Sequence, residues 1–262
     1  MVIKAFDKQT EEGNHLIPAD PFVAVCNGVI ASGKSTVCLD LILNKFRHRY
    51  NRVVVISPTI DLDEKMKAIV SCPDLCVSNQ ALHDVIYNEL SILDEYEEPE
   101  KLPKYIGVSE DDCHTSYNPQ ILQDIIDSQN YIIKHYGKKL ADKILIFIDD
   151  APALGIFRAS HQDIFAKFCN TIRHYKTSTL FCSQMFKCCA KVIRHQISCG
   201  IFFASNEVEM REIWESMSCN MPFHVWSEYF RILTSKPYSH VTINLKNQKG
   251  FQMIRGFENF IA

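Results

Sequence analysis

The sequence predicts an α/β fold, a three-layer sandwich with a mainly parallel central sheet and helices on both faces. Stretches with apolar residues at helical spacing, of which 119–133 is the clearest, alternate with short apolar runs. Continuous apolar runs of this length are typical of strands that are buried on both faces of a parallel sheet. Strands and helices that alternate along a chain build such three-layer folds. The runs lie at 22–26, 53–57, 143–148, 177–183 and 199–204.

A phosphate-binding loop follows the first of these runs. Gly28, Gly33, Lys34 and Ser35 occupy the fixed positions of the pattern G-x-x-x-x-G-K-[ST], and a helical pattern begins at about Lys34. The glycines let successive backbone N–H groups face phosphate oxygens, and the positive end of the helix adds to the attraction. We predict that Lys34 reaches the β- and γ-phosphates of ATP and that the Ser35 hydroxyl ligates Mg²⁺. The residues expected to contact the nucleotide are Gly28, Val29, Ile30, Ala31, Ser32, Gly33, Lys34, Ser35 and Thr36.

Two carboxylates follow the apolar run 143–148 directly. An acid at the end of a buried strand is placed to hold Mg²⁺ beside a phosphate loop. We therefore predict that Asp149 contributes to the Mg²⁺ shell and that Asp150 orients and deprotonates the attacking water. An acidic turn after a strand is common, so this pair gains its meaning from the phosphate loop upstream.

Gln184 directly follows the run 177–183, just as the two carboxylates follow the run 143–148. Its amide can hydrogen-bond the attacking water or the γ-phosphate. Open α/β sheets bind ligands at the carboxyl ends of their strands, and Gly28, Asp149 and Gln184 are all expected there. The sequence thus predicts one catalytic edge assembled from three strand ends.

Composition limits the classes of protein that fit. The chain has 262 residues, a length that suits one large domain or two small ones, and a formal net charge of −3. This charge argues against a basic coat on nucleic acid, although it permits a local DNA-binding patch. The 11 cysteines lie mostly in apolar runs and lack the spacing of a zinc site, which predicts reduced thiols in a reducing compartment. The charged N-terminus does not resemble a signal peptide, and no apolar run reaches the ~20 residues of a membrane span.

We expect an N-terminal arm at 1–20 and one nucleotide-binding domain at 21–262. Within this domain, 84–118 is rich in acids and prolines and is interpreted as a surface insertion. The segment 206–262 is expected to contain two helices, the second rich in aromatic residues, and then a β-hairpin. The aromatic residues of that helix are expected to pack in the core.

The order of these motifs resembles the genome-packaging ATPases of large double-stranded DNA viruses, of the poxvirus type. These belong to the FtsK–HerA division of RecA-like (ASCE) phosphate-loop ATPases. The resemblance covers about 20–205, and Asp150, where the wider superfamily often has Glu, fits the viral branch. The resemblance does not extend to the acidic insertion or to the aromatic C-terminal helix. The segments that carry the resemblance are 28–35, 146–150, 172–178 with 182–184, and 192–195.

The resemblance implies a ring-forming motor, a pentamer or hexamer, that moves viral double-stranded DNA into a capsid by ATP hydrolysis. Its partners would be DNA and capsid or portal-vertex proteins, and its location the virion or the host cytoplasm. In such rings an arginine of one subunit reaches the nucleotide of its neighbour. Arg173 is the first candidate for this trans contact and Arg194 the second.

Two other functions also fit a chain with a phosphate loop. One is a small-molecule or nucleoside kinase with a phosphate loop, although 185–235 lacks the concentrated arginines of a kinase lid. The other is an assembly protein that binds nucleotide without hydrolysing it, against which the acid pair and Gln184 argue.

Overall fold

The structure is a computed structural model that describes residues 19–90, 101–156, 163–217, 221–246, 253–255 and 259–260. Its strands are β1 (Val23–Asn27), β2 (Arg52–Ile56), β3 (Cys76–Val77), β4 (Tyr105–Ile106), β5 (Cys113–His114), β6 (Ile144–Ile148), β7 (Thr177–Ser183), β8 (Cys199–Phe203), β9 (His240–Asn244), β10 (Met253–Arg255) and β11 (Asn259–Phe260). Its helices are α1 (Lys34–Asp40), α2 (Glu64–Val70), α3 (Gln80–Leu90), α4 (Pro119–Tyr136), α5 (Ile164–Thr171), α6 (Lys191–Arg194), α7 (Glu207–Ser216) and α8 (Phe223–Leu233). A π-helical turn, Leu41–Lys45, continues α1.

A nine-stranded sheet lies at the centre of the described residues, in the order β11-β10-β9-β8-β1-β7-β6-β2-β5. The strands from β8 to β5 in this order are parallel. Strands β9, β10 and β11 extend the sheet antiparallel beyond β8. The predicted mainly parallel sheet is therefore confirmed, and so is the C-terminal hairpin, which is formed by β9 and β10.

Side chains on the two faces of the sheet enter separate cores. Val23 and Val25 of β1 pack with α4, α5, α7 and α8, whereas Ala24 and Cys26 pack with α1 and α2. This alternation follows from the period of two in a strand. Since both faces are covered by helices, the parallel strands read as continuous apolar runs. The three-layer prediction is confirmed.

The segment 84–118 differs from the predicted surface insertion. Helix α3 already begins at Gln80, and β5 adds to the edge of the central sheet by pairing with β2. Asp112 is buried there and receives hydrogen bonds from Arg52, with Nε 2.9 Å and Nη2 2.6 Å from Oδ1. The prediction of a surface insertion is wrong for this part, because a two-residue strand is too short to show a period. The acidic run at 94–100 lies outside the described residues.

Apolar residues at helical spacing predict an amphipathic helix at 161–175 that carries Arg173, but α5 is shorter. The Asp163 carboxylate accepts a hydrogen bond from the Phe165 N–H at 2.8 Å and caps its start. The helix ends at Thr171, and two tight turns lead to Lys176, which has a φ of 51°. Arg173 therefore lies in the connection to β7 rather than on the helix. The N-terminal arm falls outside the described residues up to 18.

Helix α8 carries the predicted aromatic face. Trp226 and Phe230 are fully buried, whereas Tyr229 is 42% exposed. The described cysteines are free, and most of them are buried. No helix in the described ranges has both the length and the apolar character needed to cross a bilayer.

Candidate nucleotide-binding site

The carboxyl ends of β1, β7 and β6 lie side by side at one edge of the sheet. Asn27 pairs in register with Ser183, and Ile148 pairs with Phe181. Backbone hydrogen bonds continue past these ends, from the Gly28 N–H to the Ser183 carbonyl at 3.1 Å and from the Ala151 N–H to the Cys182 carbonyl at 3.1 Å. The structure thus brings the phosphate-loop residues, the acid pair and Gln184 to the same edge, where the sequence predicts them.

The loop between β1 and α1 has the tight backbone that its motif requires. Gly33 has a φ of 103°, which L-residues rarely adopt, and Ala31 has a φ of 61°. A methyl carbon added to Gly28 would lie 2.7 Å from Ser32 Oγ and 2.8 Å from Phe203 Cβ. Both glycines therefore occupy positions where a side chain would strain or fill the loop.

Backbone carbonyls of the loop hold the Lys34 side chain over it. Its Nζ donates hydrogen bonds to the Gly28 carbonyl at 2.6 Å and to the Val29 carbonyl at 2.8 Å. The ammonium group therefore lies against the mouth of the loop, where phosphate oxygens would meet it. Val29 and Ile30 are 61% and 76% exposed, so the outer side of the loop is open to solvent.

Two buried polar atoms make the loop a fit for an anionic ligand and its metal. Ser32 Oγ and Asn27 Oδ1 are buried and have no hydrogen-bond partner in the described part of the chain. Buried polar atoms without partners are costly, so they mark places where a ligand or water is expected. Ser32 Oγ can donate to a phosphate oxygen, as the Lys34 ammonium can, whereas Asn27 Oδ1 only accepts hydrogen bonds and suits water or a cation.

Asp149 is the candidate metal ligand, and the residue is almost buried, with 9% of its surface exposed. Burial, the Cys182 thiol beside it and the neighbouring Asp150 raise its pKa to about 7. A divalent cation would favour the charged form. Mg²⁺ usually takes one or two protein carboxylates and completes its shell with phosphates and water. Ser35 and Asp149 fit this limited donor set, and no larger cluster of His, Cys, Asp and Glu suited to a metal occurs among the described residues.

Asp150 and Gln184 contact each other across the ends of β6 and β7. The Gln184 Nε2 donates to Asp150 Oδ1 at 3.3 Å. Asp150 has a φ of 46°, which is unusual for a residue other than glycine. Asp149 is almost buried, whereas the next acid, Asp150, is half-buried at the edge. An acid and an amide are thereby available beside the metal position.

Searches against known proteins give structural matches only. No protein-family model matches the sequence, and no curated protein matches it. The fold resembles the genome packaging NTPase B204 of Sulfolobus turreted icosahedral virus 2 in complex with AMP, with a TM-score of 0.55, 14% identity, and coverage of 90% of this chain and 96% of that one. The sulfate complex of the same protein gives a TM-score of 0.53 at 16% identity, with coverage of 90% and 95%. B204 of Sulfolobus turreted icosahedral virus gives 0.51 at 14% identity, with coverage of 90% and 98%.

The chain has the phosphate-loop NTPase fold. The likeness extends over 90% of this chain and 96% of the other, so it concerns the whole fold and not a single motif. The predicted RecA-like fold is confirmed. The catalytic roles of Lys34, Asp150 and Gln184 and the metal roles of Ser35 and Asp149 stay predictions.

Arg173 and the phosphate loop lie at opposite edges of the central sheet. Arg173 precedes the start of β7, whereas Gln184, which lies beside the phosphate loop, follows the end of β7. The seven residues of β7 span the distance between these two edges, which is about 20 Å. Arg173 lines a cavity of about 230 Å³ together with Lys246 and Ser198. Its guanidinium makes no hydrogen bond or ion pair to the described part of the chain. Burial and the nearby Arg173 lower the pKa of Lys246, so this cavity gathers positive charge.

Arg194 is engaged within its own chain. Its Nη1 forms an ion pair with Glu212 Oε2, and its guanidinium lies 5.8 Å from the centre of the Phe186 ring. The Arg194 side chain is only 14% exposed. Of the two predicted trans arginines, Arg173 is therefore the one that is free to contact another molecule.

Two aromatic residues beside the phosphate loop belong to none of the functional motifs in the sequence. Phe203 ends β8 and lies under the loop, where a methyl carbon added to Gly33 would be 3.6 Å from its Cε1. Tyr238 precedes β9, and its Cδ1 would lie 3.4 Å from the same methyl. Only the pairing of β9 with β8 brings Tyr238 to this loop.

Proposed function

We propose that this protein is a Mg²⁺-dependent ATPase that drives the packaging of viral double-stranded DNA into a capsid. The observation that carries the proposal is the convergence of a complete phosphate loop, a buried acid and an Asp–Gln pair at one edge of the sheet. A kinase needs a second acceptor site, and a passive nucleotide-binding protein needs no acid pair, so hydrolysis accounts for these groups best.

Each residue then has a defined task. The phosphate loop binds the phosphates through its backbone N–H groups, and Lys34 leaves the Gly28 and Val29 carbonyls to neutralise the β- and γ-phosphates. Ser35 and Asp149 would hold Mg²⁺, which supplies further neutralisation of charge at the phosphates. Asp150 takes a proton from the attacking water, and Gln184 orients that carboxylate.

The coupling to DNA rests on resemblance rather than on a visible DNA site. The sequence resembles the viral packaging ATPases, and the structures that share the fold include the genome packaging NTPase B204 in complex with AMP, AMPPCP and ATP-gammaS. The partners would be double-stranded DNA and capsid or portal-vertex proteins, at the virion or in the host cytoplasm. A ring of five or six copies would place Arg173 of one copy at the nucleotide of the next, where its charge stabilises the transition state.

The test compares ATP hydrolysis with and without duplex DNA. The wild-type protein is expected to release inorganic phosphate, to be stimulated by duplex DNA, and to assemble into a particle several times the 30.1 kDa monomer mass. Lys34→Ala should abolish turnover, whereas the control Lys191→Ala, at an exposed lysine on α6, should not.

Equal rates for Lys34→Ala and wild type would refute the site. Phosphate transferred to a nucleoside would favour a kinase, and stabilisation by ATP without turnover would favour an assembly protein.

A further inference from the structure

The order of the strands orients any nucleotide that binds the loop. Strand β1 leads into the loop, and its two neighbours are β7 and β8. Gln184 and the acid pair lie on the β7 side, which is where hydrolysis would place the γ-phosphate. A phosphate chain that begins on the β7 side and crosses the loop must carry its nucleoside toward β8 and β9. The residues at that end of the edge are therefore candidates to contact the base.

Tyr238 occupies that position with an exposed ring. Its side chain is 72% exposed, which is high for so large an apolar group, and its ring borders Gly33. Its φ of 63° places it in the left-handed region, which is costly for a tyrosine. Residues with strained backbones cluster at functional sites, so Tyr238 beside the phosphate loop is a candidate ligand contact.

A local turn orders the backbone on which Tyr238 lies. The Ser239 N–H donates to the Lys236 carbonyl at 3.0 Å, and the Ser239 hydroxyl donates to the same carbonyl at 2.6 Å. Next to it, the Phe203 ring is buried and lies 5.3 Å from the His240 ring, at an interplanar angle of 47°. The buried Phe203 and the half-buried His240 thus pack beside the phosphate loop and the turn that carries Tyr238.

We propose that Tyr238 stacks on the nucleobase of the nucleotide held by the phosphate loop, and that the base is preferably a purine. This inference rests on the proposed nucleotide site and adds its base-binding part. The aromatic face of tyrosine accepts any base, because every base has a π-face, and a purine offers the larger area. Stacking alone does not read the hydrogen-bonding edge of a base. ATP and GTP should therefore bind with similar affinity, and CTP and UTP more weakly.

The test separates the base from the phosphates. Affinities for ATP and for inorganic tripolyphosphate, which has no base, are measured by calorimetry on wild type, Tyr238→Ala and Tyr238→Phe. Loss of the ring should raise the Kd for ATP about 10-fold and leave the Kd for tripolyphosphate unchanged. Tyr238→Phe should bind ATP like wild type, because it keeps the ring. The control Tyr131→Ala, at another exposed tyrosine on α4, should change neither Kd.

The outcomes distinguish this inference from the proposed function beneath it. Unchanged ATP affinity in Tyr238→Ala, or an equal loss of ATP and tripolyphosphate binding, would overturn the stacking role. A melting temperature close to wild type in Tyr238→Ala, as expected for an exposed side chain, shows that a loss of binding is not a loss of folding. If wild type binds neither ATP nor tripolyphosphate, or if Lys34→Ala binds both normally, the phosphate site itself fails and the stacking role falls with it.

Discussion

Gln184 Nε2 lies 3.3 Å from Asp150 Oδ1, a hydrogen bond that joins the ends of two neighbouring strands beside the phosphate loop. The amide is a donor here, so it fixes one carboxylate oxygen and leaves the other available to accept a proton. Asp149 is almost buried, whereas Asp150, which has a φ of 46°, is half-buried at the strand ends. Two adjacent acids thereby occupy different environments, as separate metal and base roles require.

Asp150→Asn should abolish most turnover and leave nucleotide binding intact. The amide keeps the size and the contact with Gln184 but cannot accept a proton from water. General bases typically contribute about 10²- to 10⁴-fold in rate, so kcat should fall by that amount while the Kd for ATP stays the same. Steady-state phosphate release and calorimetry measure the two quantities. An Asp150→Asn protein with more than half of the wild-type kcat would exclude the base role.

Gln184 should act through Asp150, and a double-mutant cycle tests this dependence. Gln184→Leu, which keeps the volume and removes the donor, should lower kcat in the wild-type background because the carboxylate is no longer oriented. In the Asp150→Asn background the same change should have little further effect. If the two losses multiply instead, Gln184 contacts water or phosphate independently of Asp150.

The parts of this edge that are formed by contiguous residues could be predicted from the sequence. A strand, a glycine-bounded turn and a helix are contiguous, so the phosphate loop could be placed by its motif, and the buried strands could be placed by their apolar runs. Asp149, Asp150 and Gln184 could be placed because parallel strands share the edge where they end.

The residues that could not be predicted depend on contacts between distant segments. Tyr238 meets Gly33 only because β9 pairs with β8, and no local pattern encodes that pairing. Strand β5 has two residues, too few for a period, and Asp112 is anchored by Arg52, 60 positions away. The position of Arg173 outside α5 follows from two tight turns, whereas its apolar neighbours continue the helical pattern.

Gly28→Ala should impair the loop through a contact that cannot relax. The added methyl would lie 2.8 Å from Phe203 Cβ, an atom fixed to the backbone of β8. Overpacking of this kind costs about 1–3 kcal/mol, so the free energy of unfolding should fall and the affinity for ATP should fall with it. Urea unfolding and calorimetry measure both effects.

The reverse exchange in the same loop is the control for Gly28→Ala. Ala31 has a φ of 61°, which glycine adopts without strain, so Ala31→Gly should leave stability unchanged or raise it. Wild-type stability and affinity in Gly28→Ala would show that the loop has more space than its geometry indicates.

Glu212→Gln should destabilise the fold more than an equivalent change at the surface. Glu212 pairs with Arg194, whose side chain is 14% exposed, and the change leaves that guanidinium without its counter-charge. Breaking a fully buried pair costs about 3–5 kcal/mol, and because Glu212 is 28% exposed we expect about 1–3 kcal/mol. Glu207→Gln is the matched control, since its partners Arg211 and Arg231 lie 3.7 Å away and Glu207 is 63% exposed, and it should cost less than about 1 kcal/mol. Equal losses in urea unfolding would contradict the buried pair.

Arg173 should act on the nucleotide of a neighbouring copy, because about 20 Å of sheet separates it from its own phosphate loop. Arg173→Ala alone should lower kcat strongly, as loss of a trans arginine does in other nucleotide hydrolases. Mixing it with Lys34→Ala should restore part of the activity, since a subunit with intact Lys34 then meets a neighbour with intact Arg173.

A mixture of Lys34→Ala and Asp150→Asn is the control, because Lys34 and Asp150 serve the nucleotide site of the same copy. In that mixture no subunit has both residues intact. Activity is measured by phosphate release after joint refolding, and recovery in neither mixture, or in both, would contradict a trans role for Arg173.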